Sequence, residues 1–133
     1  MDKRILIVED DEFLRDLYVD TLSAEGYQLD VAKDGEEALE KIKVGGWDLV
    51  LLDIIMPKMS GLEVMKKLKT ENPQTKFAKT LLFLTNLDKG EEINEALTLG
   101  DGYLIKSQIT PGDLINEVKL YLSRNQSPPQ PSI

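Results

Sequence analysis

The sequence predicts an α/β domain built on a parallel sheet, and three observations support that prediction. Three short runs, residues 5–8, 49–52 and 81–84, are apolar without alternation, as in strands buried on both faces. The segments between these runs carry apolar residues at helical spacing. Strand and helix patterns alternate five times along the chain. This alternation favours parallel strands joined by right-handed crossovers.

The remaining elements follow in chain order. Residues 28–32 alternate apolar and polar side chains, which is typical of an edge strand, and residues 103–105 form a short last strand. The predicted helices each present one apolar face, and they cover residues 11–25, 35–44, 61–70, 89–99 and 111–123. Thr110 suits the N-cap of the last helix and Pro111 suits its first turn.

The composition excludes several classes of function. The 133 residues include no cysteine and no histidine, which excludes disulfides, thiol catalysis and imidazole metal ligands. The net charge of −8 disfavours direct binding to nucleic acid. No apolar run approaches the roughly 20 residues that span a bilayer. The apolar run near the N-terminus is too short for the core of a signal peptide. We therefore expect a cytoplasmic protein without membrane contact.

The composition changes near residue 124. Residues 1–124 carry the alternating pattern and are predicted to form one domain. Residues 125–133 are rich in proline and lack apolar periodicity, so they are predicted to be a flexible tail or the start of a linker.

Polar residues follow four of the five predicted strands. Glu9 and Asp10 follow the first, Asp53 the third, Thr85 the fourth and Lys106 the fifth. Ligands of open parallel sheets bind at the carboxyl ends of strands, so these side chains should converge. Three close carboxylates need neutralising charge, which Lys106 and a hard cation such as Mg²⁺ would supply. Such a set suits phosphoryl transfer, with Asp53 best placed as the nucleophile.

Taken together, these motifs resemble the receiver domain of bacterial two-component response regulators. The resemblance covers residues 3 to 124. It rests on Glu9-Asp10, on residues 53–57 with Gly61, on Thr85 and on residues 103–106. Each motif alone is common, but the whole set in this order at strand ends is specific. The resemblance implies a flavodoxin-like (βα)5 fold, a three-layer sandwich with helices on both faces of a parallel sheet of strand order 2-1-3-4-5.

The resemblance implies a phosphoacceptor switch rather than an enzyme. Asp53 would receive a phosphoryl group from a sensor histidine kinase or a phosphotransfer protein. The domain would at most catalyse its own phosphorylation and slow dephosphorylation. Asp10, Asp53 and the backbone carbonyl of Ile55 would bind Mg²⁺ or Mn²⁺, with Glu9 acting through water. Thr85 and Lys106 would contact the phosphoryl group.

The resemblance also implies how the signal leaves the site. Thr85 would move toward the phosphoryl group, and the ring of Tyr103 would reorient into the space left behind. The surface of the fourth helix, fifth strand and fifth helix would change and control a downstream protein. We expect a stand-alone receiver. The alternatives are the receiver part of a longer DNA-binding regulator and a degenerate receiver that acts only by protein binding. A phosphorylation-linked dimer also remains open.

Two features depart from the family pattern or bear on the lifetime of the signal. Lys106 is followed by Ser107 where the family usually has proline, which leaves open whether this peptide bond is cis or trans. The resemblance implies that the phosphoryl group is flanked by the residues two positions after Asp53 and two positions after Thr85, which are Ile55 and Leu87 here. Neither side chain can orient an attacking water molecule, so we expect slow self-dephosphorylation.

Two other functions fit the sequence less well. A phosphatase with an aspartate nucleophile usually needs a second acid two residues later, where this chain has Ile55. A flavodoxin-like cofactor carrier would need a phosphate-binding loop rich in Ser, Thr and Gly after the first strand. This chain has acids there instead, and they would repel a flavin phosphate.

Overall fold

A computed structural model describes residues 2–86 and 90–126; for residues 90–92, 125 and 126 it describes the backbone alone. The strands are Arg4–Val8 (β1), Gln28–Ala32 (β2), Trp47–Asp53 (β3), Ala78–Thr85 (β4) and Gly102–Ile105 (β5). The helices are Glu12–Ser23 (α1), Gly35–Val44 (α2), Gly61–Glu71 (α3), Gly90–Leu99 (α4) and Pro111–Gln126 (α5). A 3-10 turn spans Lys106–Gln108.

The sheet has the predicted topology. All its strand pairs are parallel, and the strand order is β2-β1-β3-β4-β5. The alternating strand, β2, lies at one edge, as its sequence pattern predicts, and β5 lies at the other. The order jumps from β2 to β3 across β1, so the crossover direction reverses beside β1. In open α/β sheets this reversal opens a crevice at the carboxyl ends of the strands.

Helices cover both faces of the sheet, so the central strands are buried on both sides. One core cluster includes alternate residues Leu6, Val8, Val50, Leu52, Leu81 and Phe83, together with side chains of α2, α3 and α4. The other includes the intervening residues Ile5, Ile7, Leu49, Leu51, Leu82 and Leu84, together with side chains of α1 and α5. This division explains why β1, β3 and β4 read as uninterrupted apolar runs.

Side-chain caps determine where several helices begin. Asp11 accepts a hydrogen bond from Leu14 N–H, and Asp34 accepts one from Glu37 N–H. Ser60 caps α3 in a capping box: its hydroxyl oxygen accepts from Glu63 N–H, and the Glu63 carboxylate accepts from Ser60 N–H. At the start of α5, the predicted cap Thr110 accepts from Asp113 N–H at 3.1 Å. These oxygens pair with backbone N–H groups that the first turn leaves without partners.

The last helix is longer than its sequence pattern predicts. Helix α5 continues to Gln126, three residues beyond the predicted helix end at residue 123. Residues 127–133 of the predicted tail lie outside the described residues. Among the helices that the structure describes, none has the length and apolar character needed to cross a bilayer.

Candidate functional site at the carboxyl edge of the sheet

The fold brings the predicted site residues to one edge of the sheet. The strand register places Asp53 beside Leu84 and Thr85 beside Ile105. Lys106 follows β5 directly and begins the 3-10 turn. Side chains that are up to 97 residues apart in the sequence (9 to 106) therefore share the crevice where the sheet topology reverses.

Three carboxylates form the centre of this site. One oxygen from each of Glu9, Asp10 and Asp53 lies within 4.8 Å of the others. Glu9 is fully buried and Asp53 is 3% exposed, whereas Asp10 is open to solvent. Buried acids at this separation repel one another, so the arrangement requires positive charge nearby.

Lys106 supplies part of that charge. Its Nζ lies 2.8 Å from Glu9 Oε1 and 3.0 Å from Asp53 Oδ2, and its side chain is largely buried. The described residues contain no cis peptide bond, so Lys106–Ser107 is trans. With serine in place of proline after it, Lys106 still contacts Asp53.

Burial and charge shift the protonation of this group of side chains. Burial, followed by the charge of Glu9, raises the pKa of Asp53 to about 7, and Lys106 opposes this rise. Burial by itself would lower the pKa of Lys106, but its contacts with Glu9 and Asp53 raise the pKa overall. Lys106 therefore stays charged, while Asp53 needs further positive charge to be fully ionised near neutral pH.

The loop after β1 is held by contacts that the sequence did not reveal. Asp11 N–H donates to Glu9 Oε2 at 3.1 Å. The Arg15 guanidinium donates to the backbone carbonyls of Glu9 and Asp10, at 2.9 and 3.4 Å. Arg15 thus fixes the backbone that carries both acids. The only local signal for this role was the position of Arg15 in the sequence, six residues after Glu9 and five after Asp10.

The donor set fits a hard divalent cation. Mg²⁺ and Mn²⁺ favour oxygen ligands and are commonly held by one or two carboxylates. Glu9 Oε1 is buried and forms an ion pair with Lys106, yet among the described residues no donor meets it with hydrogen-bond geometry. That oxygen retains capacity for a further donor, such as the water of a hydrated ion.

The structure describes three of the other four predicted residues. Thr85 is buried at the end of β4. Tyr103 is half-buried and packs against the core cluster on the α2, α3 and α4 side. Ile55 follows β3 and its side chain is 61% exposed. Leu87 lies outside the described residues.

Comparison with known proteins identifies the family. A family model described as the response regulator receiver domain matches residues 5–119. The chain belongs to this receiver family. The resemblance noted in the sequence is therefore confirmed, and the receiver domain spans most of the chain.

Two curated relatives of this receiver domain are named as transcriptional regulatory proteins. The chain is 37% identical over 129 residues to the alkaline phosphatase synthesis transcriptional regulatory protein PhoP of Bacillus subtilis, a match covering 95% of this chain and 51% of that protein. It is 35% identical over 130 residues to SrrA of Staphylococcus aureus, covering 96% and 51% respectively. The receiver domain thus spans about half the length of these relatives.

Solved receiver structures share its fold. A CheY-like receiver domain protein from Methanospirillum hungatei JF-1 matches with a TM-score of 0.82 and 31% identity, covering 95% of this chain and 98% of that one. TrrA of Thermotoga maritima matches with a TM-score of 0.74 and 36% identity, covering 90% and 98%. The TrrA structure is a complex with Mg²⁺–BeF.

Proposed function

We propose that this receiver domain is a phosphoacceptor switch and that Asp53 is the acceptor. The observation that most supports this is the contact of the buried Asp53 carboxylate with Lys106 beside Glu9 and Asp10. A carboxylate at the end of a central strand, next to a buried cation, can act as a nucleophile toward phosphorus. The proposed donor is a phosphohistidine on a sensor histidine kinase or on a phosphotransfer protein.

The proposed transfer balances without another reactant. A carboxylate oxygen of Asp53 forms the new P–O bond while the P–N bond to the donor imidazole breaks. The leaving nitrogen keeps the electron pair of that bond and takes up a proton from solvent. Lys106 holds the Asp53 carboxylate and faces the charge that develops on the phosphoryl oxygens.

The acids would act together with a metal ion. Asp10, Asp53 and the backbone carbonyl of Ile55 would hold it, with Glu9 acting through water. When bound there, Mg²⁺ or Mn²⁺ supplies positive charge that neutralises the carboxylates and the phosphoryl oxygens. The open side chain of Asp10 and the buried one of Glu9 agree with this division of roles.

Phosphorylation of Asp53 on β3 would change a surface beyond β4, on the side of the sheet where β5 lies. Thr85 lies at the end of β4, and Tyr103 lies two residues before the Thr85 partner, Ile105, on the neighbouring edge strand β5. Movement of Thr85 toward the phosphoryl group would open space beside β5 for the half-buried Tyr103 ring. The proposed readout is the surface of α4, β5 and α5, which would bind a downstream protein.

We consider two forms of output, each with support from the comparisons. The names and length of the curated relatives support a receiver within a longer transcriptional regulator. The CheY-like neighbour, matched over 98% of its length, supports a receiver that acts on its own. In both forms we expect these residues to contact protein rather than DNA, because the net charge is −8.

A phosphorylation experiment tests the proposed acceptor. The protein is incubated with Mg²⁺ and a small phosphodonor such as acetyl phosphate, and intact mass is then measured. We expect a mass gain of one phosphoryl group that disappears with EDTA and in Asp53→Asn. Asp20→Asn, which changes an exposed aspartate of α1, is the matched control and should be labelled like the wild type.

Two results would contradict the proposal. Equal labelling of Asp53→Asn would move the acceptor elsewhere. A folded wild type that neither gains mass nor changes its spectrum with Mg²⁺ and beryllofluoride would favour a degenerate receiver that acts by protein binding alone.

A further inference from the structure

The loop between β3 and α3, residues 54–60, is anchored at both of its ends. At its start, Ile54 N–H donates to Leu84 O at 2.9 Å. At its end, Gly61 N–H donates back to Ile54 O at 2.8 Å. A Cβ at Gly61 would run into the carbonyl of Asp53, so α3 begins in direct contact with the backbone of the proposed acceptor. These contacts leave only the middle of the loop to be positioned.

The middle of the loop rests on the first turn of α2. Lys58 Nζ lies 3.5 Å from Asp34 Oδ2, and Gly35 N–H donates to Pro57 O over 3.5 Å. A Cβ built at Gly35 would lie 2.5 Å from Met59 Cβ and 2.8 Å from the Met59 carbonyl carbon. Carbon atoms that are not bonded to each other prefer about 3.5–4.0 Å, so even alanine at position 35 would force the loop and α2 apart.

The loop has little freedom to absorb such a displacement locally. Lys58 has φ +70°, the left-handed region that L-residues rarely adopt. Met59 N–H donates to Pro57 O at 2.8 Å, which closes a tight turn, and the proline ring restricts φ at position 57. A shift of Met59 would therefore displace the rest of the turn, including the backbone of Ile55, because the turn has few other conformations available.

We propose that the first turn of α2 is a brace that positions the metal-binding loop. Gly35 allows the backbone of Met59 to approach, and Asp34 holds the turn through Lys58. Asp34 and Gly35 are positioning residues, because they touch neither the proposed acceptor nor the proposed metal. The inference rests on the proposed function in one respect, namely that the Ile55 carbonyl serves as a metal ligand.

Metal affinity tests this role directly. Binding of Mn²⁺ to the full chain is measured by electron paramagnetic resonance without a phosphodonor, for wild type, Gly35→Ala and Gly112→Ala. Gly112 is the matched control, because it also lies in a first helical turn and a Cβ there would meet only Thr110 Oγ1 at 3.8 Å. We expect Gly35→Ala to weaken Mn²⁺ binding about tenfold, as loss of an outer contact of a metal site does. Gly112→Ala should bind like the wild type.

Unfolding by urea in EDTA separates positioning from simple stability. If Gly35 served only the stability of the fold, Gly35→Ala would lower the free energy of unfolding but leave the Mn²⁺ affinity of the folded protein unchanged. Unchanged affinity in folded Gly35→Ala therefore overturns the inference.

If Gly35→Ala does not fold, Asp34→Asn replaces it, since asparagine keeps the helix cap but loses the charge that attracts Lys58. Its Mn²⁺ affinity should also fall, and an unchanged value would overturn the inference. A wild type that binds no Mn²⁺ would instead count against the proposed metal site, and so against the proposed function itself.

Discussion

At the scale of single residues, the site is a balance of charge around Asp53. Burial and Glu9 raise the pKa of Asp53 to about 7, while Lys106, at 3.0 Å, lowers it. A carboxyl group that is partly protonated near neutral pH is a weak nucleophile. Positive charge added by a bound cation would ionise Asp53 fully, which links metal binding to reactivity in the proposed mechanism.

The first residue-scale prediction concerns stability and pH. Because the pKa of folded Asp53 lies above its usual 3.8, the folded chain binds more protons than the unfolded chain between these two values. Asp53 therefore makes the free energy of unfolding fall as pH rises through that window. Without metal, Asp53→Asn should raise this free energy by on the order of 2 kcal/mol at about pH 8, and by much less at about pH 4.

Urea unfolding in EDTA at the two pH values checks this. Asp20→Asn serves as the control, since the aspartate it changes is exposed. A gain of equal size at both pH values, or a loss of stability at the higher pH, would show that the Asp53 carboxylate is not under electrostatic strain.

The second residue-scale prediction concerns the lifetime of the phosphorylated state. Ile55, two residues after Asp53, is apolar and exposed, so it cannot orient a water molecule by hydrogen bonding for attack on phosphorus. Ile55→Asn should shorten the lifetime of phospho-Asp53 by about one order of magnitude, less than a full general base supplies. Leu87→Glu, at the second flanking position, should act in the same direction. Decay followed by intact mass measures this, and the idea fails if neither variant accelerates it.

At the scale of elements, the N-termini of α1 and α3 determine the positions of the two loops that hold the site residues. Asp11 caps α1 one residue after the acidic pair, and Ser60 caps α3 at the end of the loop that carries Ile55. Each cap sets where its helix begins, and hence how the preceding loop leaves its strand. Arg15 of α1 also donates hydrogen bonds to the backbone carbonyls of Glu9 and Asp10.

The element-scale prediction concerns α1. Arg15→Gln should weaken Mn²⁺ binding severalfold, because the loop that carries Asp10 loses its tie to the helix. It should cost only about 1 kcal/mol of unfolding free energy, the usual net value of such hydrogen bonds. Arg124→Gln on α5, where the arginine lies over the Tyr121 ring, is the matched control. Equal Mn²⁺ affinity in both variants would mean that Arg15 does not organise the site.

At the scale of the whole molecule, one sheet joins two cores. Neighbouring residues of β3 alternate between the cluster on the α1 and α5 side and the cluster on the α2, α3 and α4 side. Neither cluster can lose its strands without exposing the other. The molecule should therefore unfold as one unit, as most small domains do.

A substitution on one face tests this coupling. Leu51 is fully buried on the α1 and α5 side, whereas Trp47, the only tryptophan, is buried in the opposite cluster. Leu51→Ala should lower the free energy of unfolding by about 2–5 kcal/mol. Trp47 fluorescence and far-ultraviolet circular dichroism should report the same urea midpoint. Separate midpoints would show that the two cores unfold independently.

Much of the fold could be predicted because its signals are local. Apolar runs marked the buried strands, alternation marked β2 as an edge strand, and the bounds of β2 and α2 were predicted to the residue. The strand order came from the family resemblance, since no local pattern orders parallel strands. The full extent of β3 and β4 was missed, because a polar residue, Asp48 or Lys79, separates the first residue of each strand from its apolar run. Pairing between the two strands makes these first residues extended.

By itself, the sequence determined which residues stand at the carboxyl ends of the strands: Glu9, Asp10, Asp53, Thr85 and Lys106. That follows from the alternation of strands and helices, which places these ends at one edge. Only the tertiary structure decided the pairing of Lys106 with Glu9 as well as Asp53, and the contact of Gly35 with Met59. Such contacts depend on the packing of helices and loops that are far apart in the sequence, where a shift of one ångström decides whether two atoms touch.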